Sequence, residues 1–475
     1  MSTPGCEYCE SRARLTGGQD GLDVTKSREL AEELESLASH PIVDEDWQSV
    51  VQHLPVDLEA SARECRALVR RRGVRRAEDL LRMALAYGLC DWSLRVVAAW
   101  ACVKGWAELS DTALTRRLQG ARLWLGVLVA AWIVRNRSEL AGCPVRLRLV
   151  DATVITRPGS KGTDWRVHVS LDLGRGCFDG LEVTDGKGGE SLIRHPTSPN
   201  DILVADSGYS HRRGIGSVLA SGGKLVVRLA VGNVPVVDEA GRGVGLLEWL
   251  RGTPQEGAAE RRVSIATEDG SFSVRLLAKR LSEQAAEAAR RRLRRRAQRN
   301  GRTPRKSSLE AAGYLVLMTN LDGQSWGAEQ VLTLYRLRWQ VEMAFKRLKG
   351  VLKLDHLRAQ DADLAQVYLL SKLLGALLAD RMSGNGPTVS LEWFVSDERP
   401  VSPWRWLVLF SDAVRRAVQG ALPLDRLLSA LPRLRRYLCD APRRRKQQYT
   451  LGRSLMQILS GTHISTAYTN QVLQP

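Results

Sequence analysis

Neither GxxxxGK[ST] nor HExxH occurs in the 475 residues, so a P-loop phosphate cradle and a helix-borne zinc protease site are both unsupported. No secretory leader is evident. The eight cysteines are scattered, which fits free thiols in a reducing cytoplasm. Cys6 and Cys9 form one CxxC, but no second pair follows at zinc-finger spacing, so structural zinc has little support. The longest apolar run, Leu123 to Val134, lies between Arg122 and Arg135. It is too short for a bilayer crossing and reads as a buried helix, so no membrane partner is expected. No internal repeat is found. Acid is in short supply: 52 Asp and Glu face 70 Lys and Arg, a formal charge of +18. Such an excess points to a polyanionic partner, most often nucleic acid. An apolar fraction of 44% with thirteen Trp supports a substantial core. The length allows about two to four domains.

Residues 1–25, rich in Gly, Ser and Thr without apolar period, are expected to be disordered. The pattern from 26 to 140 is helical, with Leu30, Leu34 and Leu37 and then Leu80, Leu81, Leu85 and Leu89 at helical spacing. Val96–Cys102 reads as a helix, Gly105 breaks it, and Leu109-Ser110-Asp111 offers an N-cap for Thr112–Leu118. Arg116, Arg117 and Arg122 lie on or near that second helix. A helix-turn-helix has this form. Two packed bundle helices with solvated arginines share the spacing, and both readings stay open.

At Val145 the texture changes to a strand period, with Val145, Leu147 and Leu149 alternating with Arg146 and Arg148. This strand runs into Asp151, which is expected to close it. A loop over Pro158–Gly162 follows, then strands over Arg166–Leu173 and Phe178–Thr184. Ile202–Ala205 is apolar on both faces, which suits a central strand covered by helices, and it ends in Asp206. His211–Ser221 reads as the covering helix and Lys224–Leu229 as another strand. Between 229 and 312 short β pieces appear at Val234–Val237, Arg262–Ala266 and Phe272–Leu277. A charged helix then spans Ser282 to Arg299, and residues 290–306 hold nine Arg and one Lys. That run is either a solvated arm or a phosphate-contacting surface. Tyr314–Thr319 returns to strand character, Ala365–Met382 reads as buried, and 386–475 as helical with a basic cluster at Arg443–Lys446.

One continuous helix is predicted from near Trp326. Leu334, Leu337, Val341, Phe345, Leu348 and Leu352 form its apolar face. Tyr335, Arg338, Glu342, Lys346 and Lys349 repeat that spacing one residue later, about 100° around the axis. A single carboxylate therefore stands among cations on the flank of a buried seam. A surface helix with an ordinary Glu342–Lys346 ion pair would look the same. Trp339 and Trp249 could stack on an unpaired base, although core packing is the commoner fate of tryptophan.

Asp151 and Asp206 at strand ends and Glu342 on a helix flank are the candidate catalytic group. Catalytic groups in open α/β sheets gather where strands end at their carboxyl side. Hard oxygen ligands of this kind suit Mg²⁺, and two such ions about 3.5–4 Å apart cleave phosphodiesters without a protein nucleophile. The motifs Val150-Asp151-Ala152-Thr153, Ala205-Asp206-Ser207-Gly208-Tyr209 and Tyr335-x2-Arg338-x3-Glu342-x6-Lys349 resemble those of DDE transposases of the IS4 family. Leu109-Ser110-Asp111, Asp164-Trp165-Arg166-Val167-His168, Gly189-Glu190-Ser191 and Glu248-Trp249-Leu250 add to the likeness, which covers about residues 90 to 400. The acid spacing, 55 and then 136 residues, also fits the family's interrupted core.

The resemblance implies an α/β fold: an RNase H-like mixed-sheet core in two parts, 141–228 and 313–385, interrupted by a mostly β insertion at 229–312. Helical regions would flank it at 26–140 and 386–475. Asp151, Asp206 and Glu342 would bind two Mg²⁺, with Mn²⁺ able to substitute. Tyr335, Arg338, Lys346 and Lys349 would contact the DNA backbone. Arg116 and Arg117 in the N-terminal helices would meet terminal inverted repeats. The partners would be double-stranded transposon ends and target DNA, bound by a homodimer in the bacterial cytoplasm, at the nucleoid. The alternatives are a helix-turn-helix regulator without chemistry, another two-metal nuclease, or a decayed copy that only binds.

Overall fold

The computed structural model describes residues 45–69, 73–140, 145–382, 402–422 and 424–438. The disorder expected at 1–25, Cys6 and Cys9, the helix about Leu34 and the Arg443–Lys446 cluster lie outside them. Eight strands form one sheet in the order β3-β2-β1-β4-β5-β8-β7-β6. They are β1 (Arg146–Ile155), β2 (Trp165–Asp172), β3 (Cys177–Asp185), β4 (Asp201–Ala205), β5 (Lys224–Arg228), β6 (Ala259–Thr267), β7 (Gly270–Arg280) and β8 (Tyr314–Thr319). β1 pairs antiparallel with β2, β2 antiparallel with β3, and β4 and β5 run parallel to β1. That 3-2-1-4-5 order with three parallel strands is the RNase H-like arrangement. β8 then returns antiparallel on β5, and β7 and β6 continue from it.

Both sheet faces are covered, which is why β4 reads as a continuous apolar run. Ile202 and Val204 point into one core while Leu203 and Ala205 point into the other. The larger core is shared with helices α1 (Glu45–Val51), α2 (Leu58–Glu64), α3 (Ala77–Gly88), α4 (Leu94–Val103), α5 (Asp111–Gly120) and α6 (Arg122–Leu140). The smaller core is closed by α7 (Arg212–Ala220) and α8 (Leu246–Arg251). Next come α9 (Glu283–Arg299), α10 (Lys306–Ala311), α11 (Ala328–Arg336), α12 (Trp339–Leu352), α13 (Ala362–Met382), α14 (Pro403–Gln419) and α15 (Leu424–Leu438). α13 is long and apolar enough to cross a membrane, yet most of it is buried against α6, α3 and α14. It is a core helix here.

Three expectations change. Asp151 does not close its strand: β1 runs on to Ile155, because Ala152–Ile155 still pair with β2 after the β4 partnership has ended at Leu149. The helix carrying Glu342 is not continuous. Leu337 and Arg338 separate α11 from α12, and the amides of Leu337, Arg338, Gln340 and Val341 bond three residues back rather than four. No Gly or Pro marks that tightened turn, so the apolar period passes through it unbroken. The strands of the 229–312 segment also belong to the core sheet, extending it past β8, and the same segment carries three helices.

Candidate active site

The β1–β4 register sets the first two acids side by side. Arg146 stands opposite Asp201 and Leu149 opposite Val204, and the same offset carried two residues further puts Asp151 beside Asp206. A buried ion network fixes this register. Arg148, fully buried on β1, lies 2.6 Å from Asp179 and 3.0 Å from Asp201, and donates to the carbonyl of Pro196 at 2.7 Å. Arg146 reaches Asp201 at 2.5 Å. The arginine side of the alternating strand therefore holds a fully buried charge. Asp206 caps the short 3₁₀ turn Ser207–Tyr209, accepting from the Gly208 N–H at 2.7 Å. Asp151 accepts from the Ala152 N–H at 2.8 Å. Burial pushes the Asp151 carboxyl up to about 7, and the charges of Asp206 and Glu190 push the same way against Ala152 N–H and Arg338.

The third acid arrives from the other half of the chain. Arg338, at the head of α12, donates from Nη2 to Glu342 Oε1 at 2.5 Å, while its Nη1 stands 3.7 Å from Asp151 Oδ2. Its guanidinium carbon lies 5.9 Å from the Tyr335 ring centre. One cation thus spans two of the three acids. Among the described residues no three acidic, His or Cys side chains are already close enough to share an ion. Glu342 is turned to Arg338 rather than to Asp206. The far end of α12 is held by buried Lys372, which donates to the carbonyls of Leu352 and Lys353 at 2.8 and 2.7 Å. Lys346 is exposed and Lys349 half-buried, one and two turns beyond Glu342. Arg116 and Arg117 sit on α5, which packs on α3, α4, α6 and α13, in the helical layer rather than with the acids.

Glu190 is the acid that sequence reasoning left without a role. A Cβ on Gly208 would fall 1.8 Å from Glu190 Oε2 and 3.1 Å from Asp206 Oδ1. The missing side chain at 208 is what lets Glu190 lie against the Asp206 turn. Burial raises its carboxyl, and Asp206 adds to the rise. The Gly189-Glu190-Ser191 motif held the signal, but nothing local says where that loop returns. Trp339 departs from core packing: it is 51% exposed beside Arg338, at the first residue of α12. Trp249 is half-buried against the smaller core.

Carboxylates gathered at the carboxyl edge of an RNase H-like sheet define a class, the DDE enzymes that transfer polynucleotide strands. Residues 144–378 match the family model of the transposase DDE domain. The chain is 38% identical over 346 residues to the putative transposase InsL of insertion sequence IS186A from Escherichia coli K12, covering 71% of this chain and 93% of that one. The transposase of IS421 from Escherichia coli is equally similar, 38% over 347 residues with the same shares covered. Among solved structures, a piggyBac transposase synaptic complex with hairpin DNA matches with a TM-score of 0.41 and 11% identity, over 81% of this chain and 82% of that one. The chain belongs to the IS4 family of DDE transposases.

Proposed function

We propose that this transposase cuts DNA at the terminal inverted repeats of an insertion sequence and joins the freed ends to a target. The observation that carries the reading is Arg338 standing between Asp151 and Glu342, with Asp206 set beside Asp151 by the β1–β4 register. The donor set suits Mg²⁺ or Mn²⁺: hard carboxylate oxygens only, with negative charge at Asp151 and Asp206 that Arg338 alone does not balance. Asp151, Asp206 and Glu342 would hold two divalent ions, with Glu190 close enough to contribute. The ions would supply an activated attacking oxygen and a stabilised leaving oxygen.

The remaining steps belong to side chains. Arg338 offers a phosphate a bidentate partner, and Lys346 and Lys349 offer point charges along the same helix flank. A phosphate that takes Arg338 releases Glu342 to turn toward Asp151 and Asp206. Tyr335 supports the guanidinium from below, and exposed Trp339 is free to stack on a base. The helices at 26–140, with Arg116 and Arg117, would read the terminal repeats. Two ends cut in one complex call for a homodimer assembled on DNA, working at the nucleoid of a bacterial cytoplasm.

The test is excision and integration of a mini-transposon in Mg²⁺ or Mn²⁺. Asp151→Ala and Asp206→Ala are expected to lose both steps while retaining DNA binding, and Ca²⁺ to support binding without cutting. Cleavage by Asp151→Ala at the parent's rate would refute the assignment.

A further inference from the structure

The arginine-rich helix α9 leaves the sheet at the edge where the acids stand. β7 is antiparallel to β8, and β8 is antiparallel to β5, so β7 points the same way as β4 and β5. Its last residue, Arg280, therefore reaches the carboxyl edge that Asp206 also occupies. Ser282 caps the helix that follows, and Ala286 is its one buried residue.

At about 100° per residue, the α9 side chains sort into three stripes. Ala286, Leu293 and Ala297 fall within an arc of about 40° and make the packed stripe. Glu283, Glu287, Arg290 and Arg294 fall together beside it and satisfy one another. Arg290 stands 2.7 Å from Glu283, and Arg294 3.0 Å from Glu287. Arg291, Arg292, Arg295, Arg296 and Arg299 spread over about 140° on the side away from the packed stripe. All five are exposed, and among the described residues none has an ion-pair partner. A merely solvated helix needs no such sorting. The charge of Arg296 also acts weakly on the Glu190 carboxyl, so the Arg296 part of this face lies toward the acids.

We propose that the free arginine face of α9 is a rail for duplex DNA backbone flanking the scissile phosphate. This rests on the reading that DNA is cut at Asp151, Asp206 and Glu342. Arg291 to Arg299 rise about 12 Å along the axis, at 1.5 Å per residue. A DNA strand presents a phosphate about every 3.4 Å of duplex axis, so the face matches about three phosphates. Each neutralised phosphate contributes about 0.9 to the slope of log affinity against log salt.

The experiment measures anisotropy of a labelled duplex carrying the cut site, between 50 and 200 mM KCl, with Ca²⁺ present so that no cutting occurs. Replacing Arg291, Arg292, Arg295, Arg296 and Arg299 with Gln is expected to flatten the slope by about three and weaken binding about a hundredfold at 150 mM salt. The same five positions as Lys should keep the parent slope, and Arg290→Gln with Arg294→Gln should change it by less than about one. Should the five-Gln protein fail to fold, Arg295→Gln with Arg296→Gln gives the same reading at about two units of slope. A parental slope in the Gln variants overturns the rail. So does a Lys variant as weak as the Gln one, since charge would then not be the cause. Failure of the parent itself to bind this duplex, or to cut it once Mg²⁺ replaces Ca²⁺, would instead sink the underlying site assignment.

Discussion

Arg148→Met tests whether the acid site depends on the buried network behind it. Arg148, Asp179 and Asp201 are all fully buried, on β1, on β3 and at the start of β4. Removing the guanidinium leaves Asp201 with Arg146 but strips Asp179 of its ion-pair partner, with only the Arg137 charge still acting on it. Breaking one partner of a buried pair costs about 3–5 kcal/mol, because the stranded charge keeps its desolvation penalty. Against a total stability of about 5–15 kcal/mol, that is a fifth or more of what holds the fold. Guanidinium unfolding followed by tryptophan fluorescence reads it directly. Arg148→Met with Asp179→Asn should recover about half of the loss, since the second change removes the stranded charge. The consequence for function follows from register: Asp151 lies three residues along β1 from Arg148, and Asp206 five beyond Asp201. Metal-dependent cleavage should therefore fall in Arg148→Met at temperatures where the protein is still folded. A loss of stability under about 1 kcal/mol, or no recovery in the double variant, would show that the network does not hold the strands.

Asp151→Asn should raise the melting temperature of metal-free protein at pH 8. The folded carboxyl titrates near 7 and the unfolded one near 3.8, so its contribution is present below pH 4 and lost as pH rises through 7. At pH 8 the parent carries the full penalty, on the order of 2–4 kcal/mol, which the amide escapes; calorimetry showing a lower melting temperature for the variant would refute this. Glu342→Gln should abolish cleavage and leave DNA affinity and its salt slope near the parent's, as band-shift titrations would show. Gly208→Ala should fold normally, because the new methyl meets side-chain ends of Glu190 and Asp206 and no backbone, but by displacing Glu190 it should weaken Mn²⁺ binding at least as much as Glu190→Gln does. Mn²⁺ titration followed by electron paramagnetic resonance separates the two, and unchanged affinity in Glu190→Gln would remove Glu190 from the site.

Local period made much of this legible. Tyr314–Thr319 is a strand with the bounds its apolar run predicts, and the charged helix read from Ser282 begins there, with Ser282 as its cap. Ser110 likewise caps α5, accepting from Ala113 N–H at 3.1 Å. What escaped was long-range. The burial of Arg148 is one case, because alternation says which residues share a face, not what covers that face. The turn at Leu337 and Arg338 keeps helical spacing, so nothing in composition betrays it. Glu190 reaches Asp206 only through the absence of a side chain at Gly208, a coincidence of two loops. Joining β6 and β7 to the main sheet depends on β8 returning antiparallel beside β5, which no local pattern encodes.

Two arginine–carboxylate contacts in this fold share their chemistry and differ in burial, and burial decides what each can do. The Arg148 network is sealed, so its parts cannot exchange without unfolding β1 from β4. The Arg338–Glu342 pair spans one helical turn, and the Glu342 side chain is 49% exposed. Arg338 is 17% exposed, so the pair lies toward the upper end of the surface range, about 0.5–1 kcal/mol, a two- to fivefold preference. Arg338 therefore restrains Glu342 too weakly to resist a phosphate that offers two charge-assisted bonds at once. A stronger latch would lock the acids apart. With no cation nearby, Glu342 would be pushed away from Asp151 and Asp206 by like charge. A weak pair at the break between α11 and α12 keeps the third carboxylate within reach of the other two and leaves it free to turn when DNA takes the guanidinium.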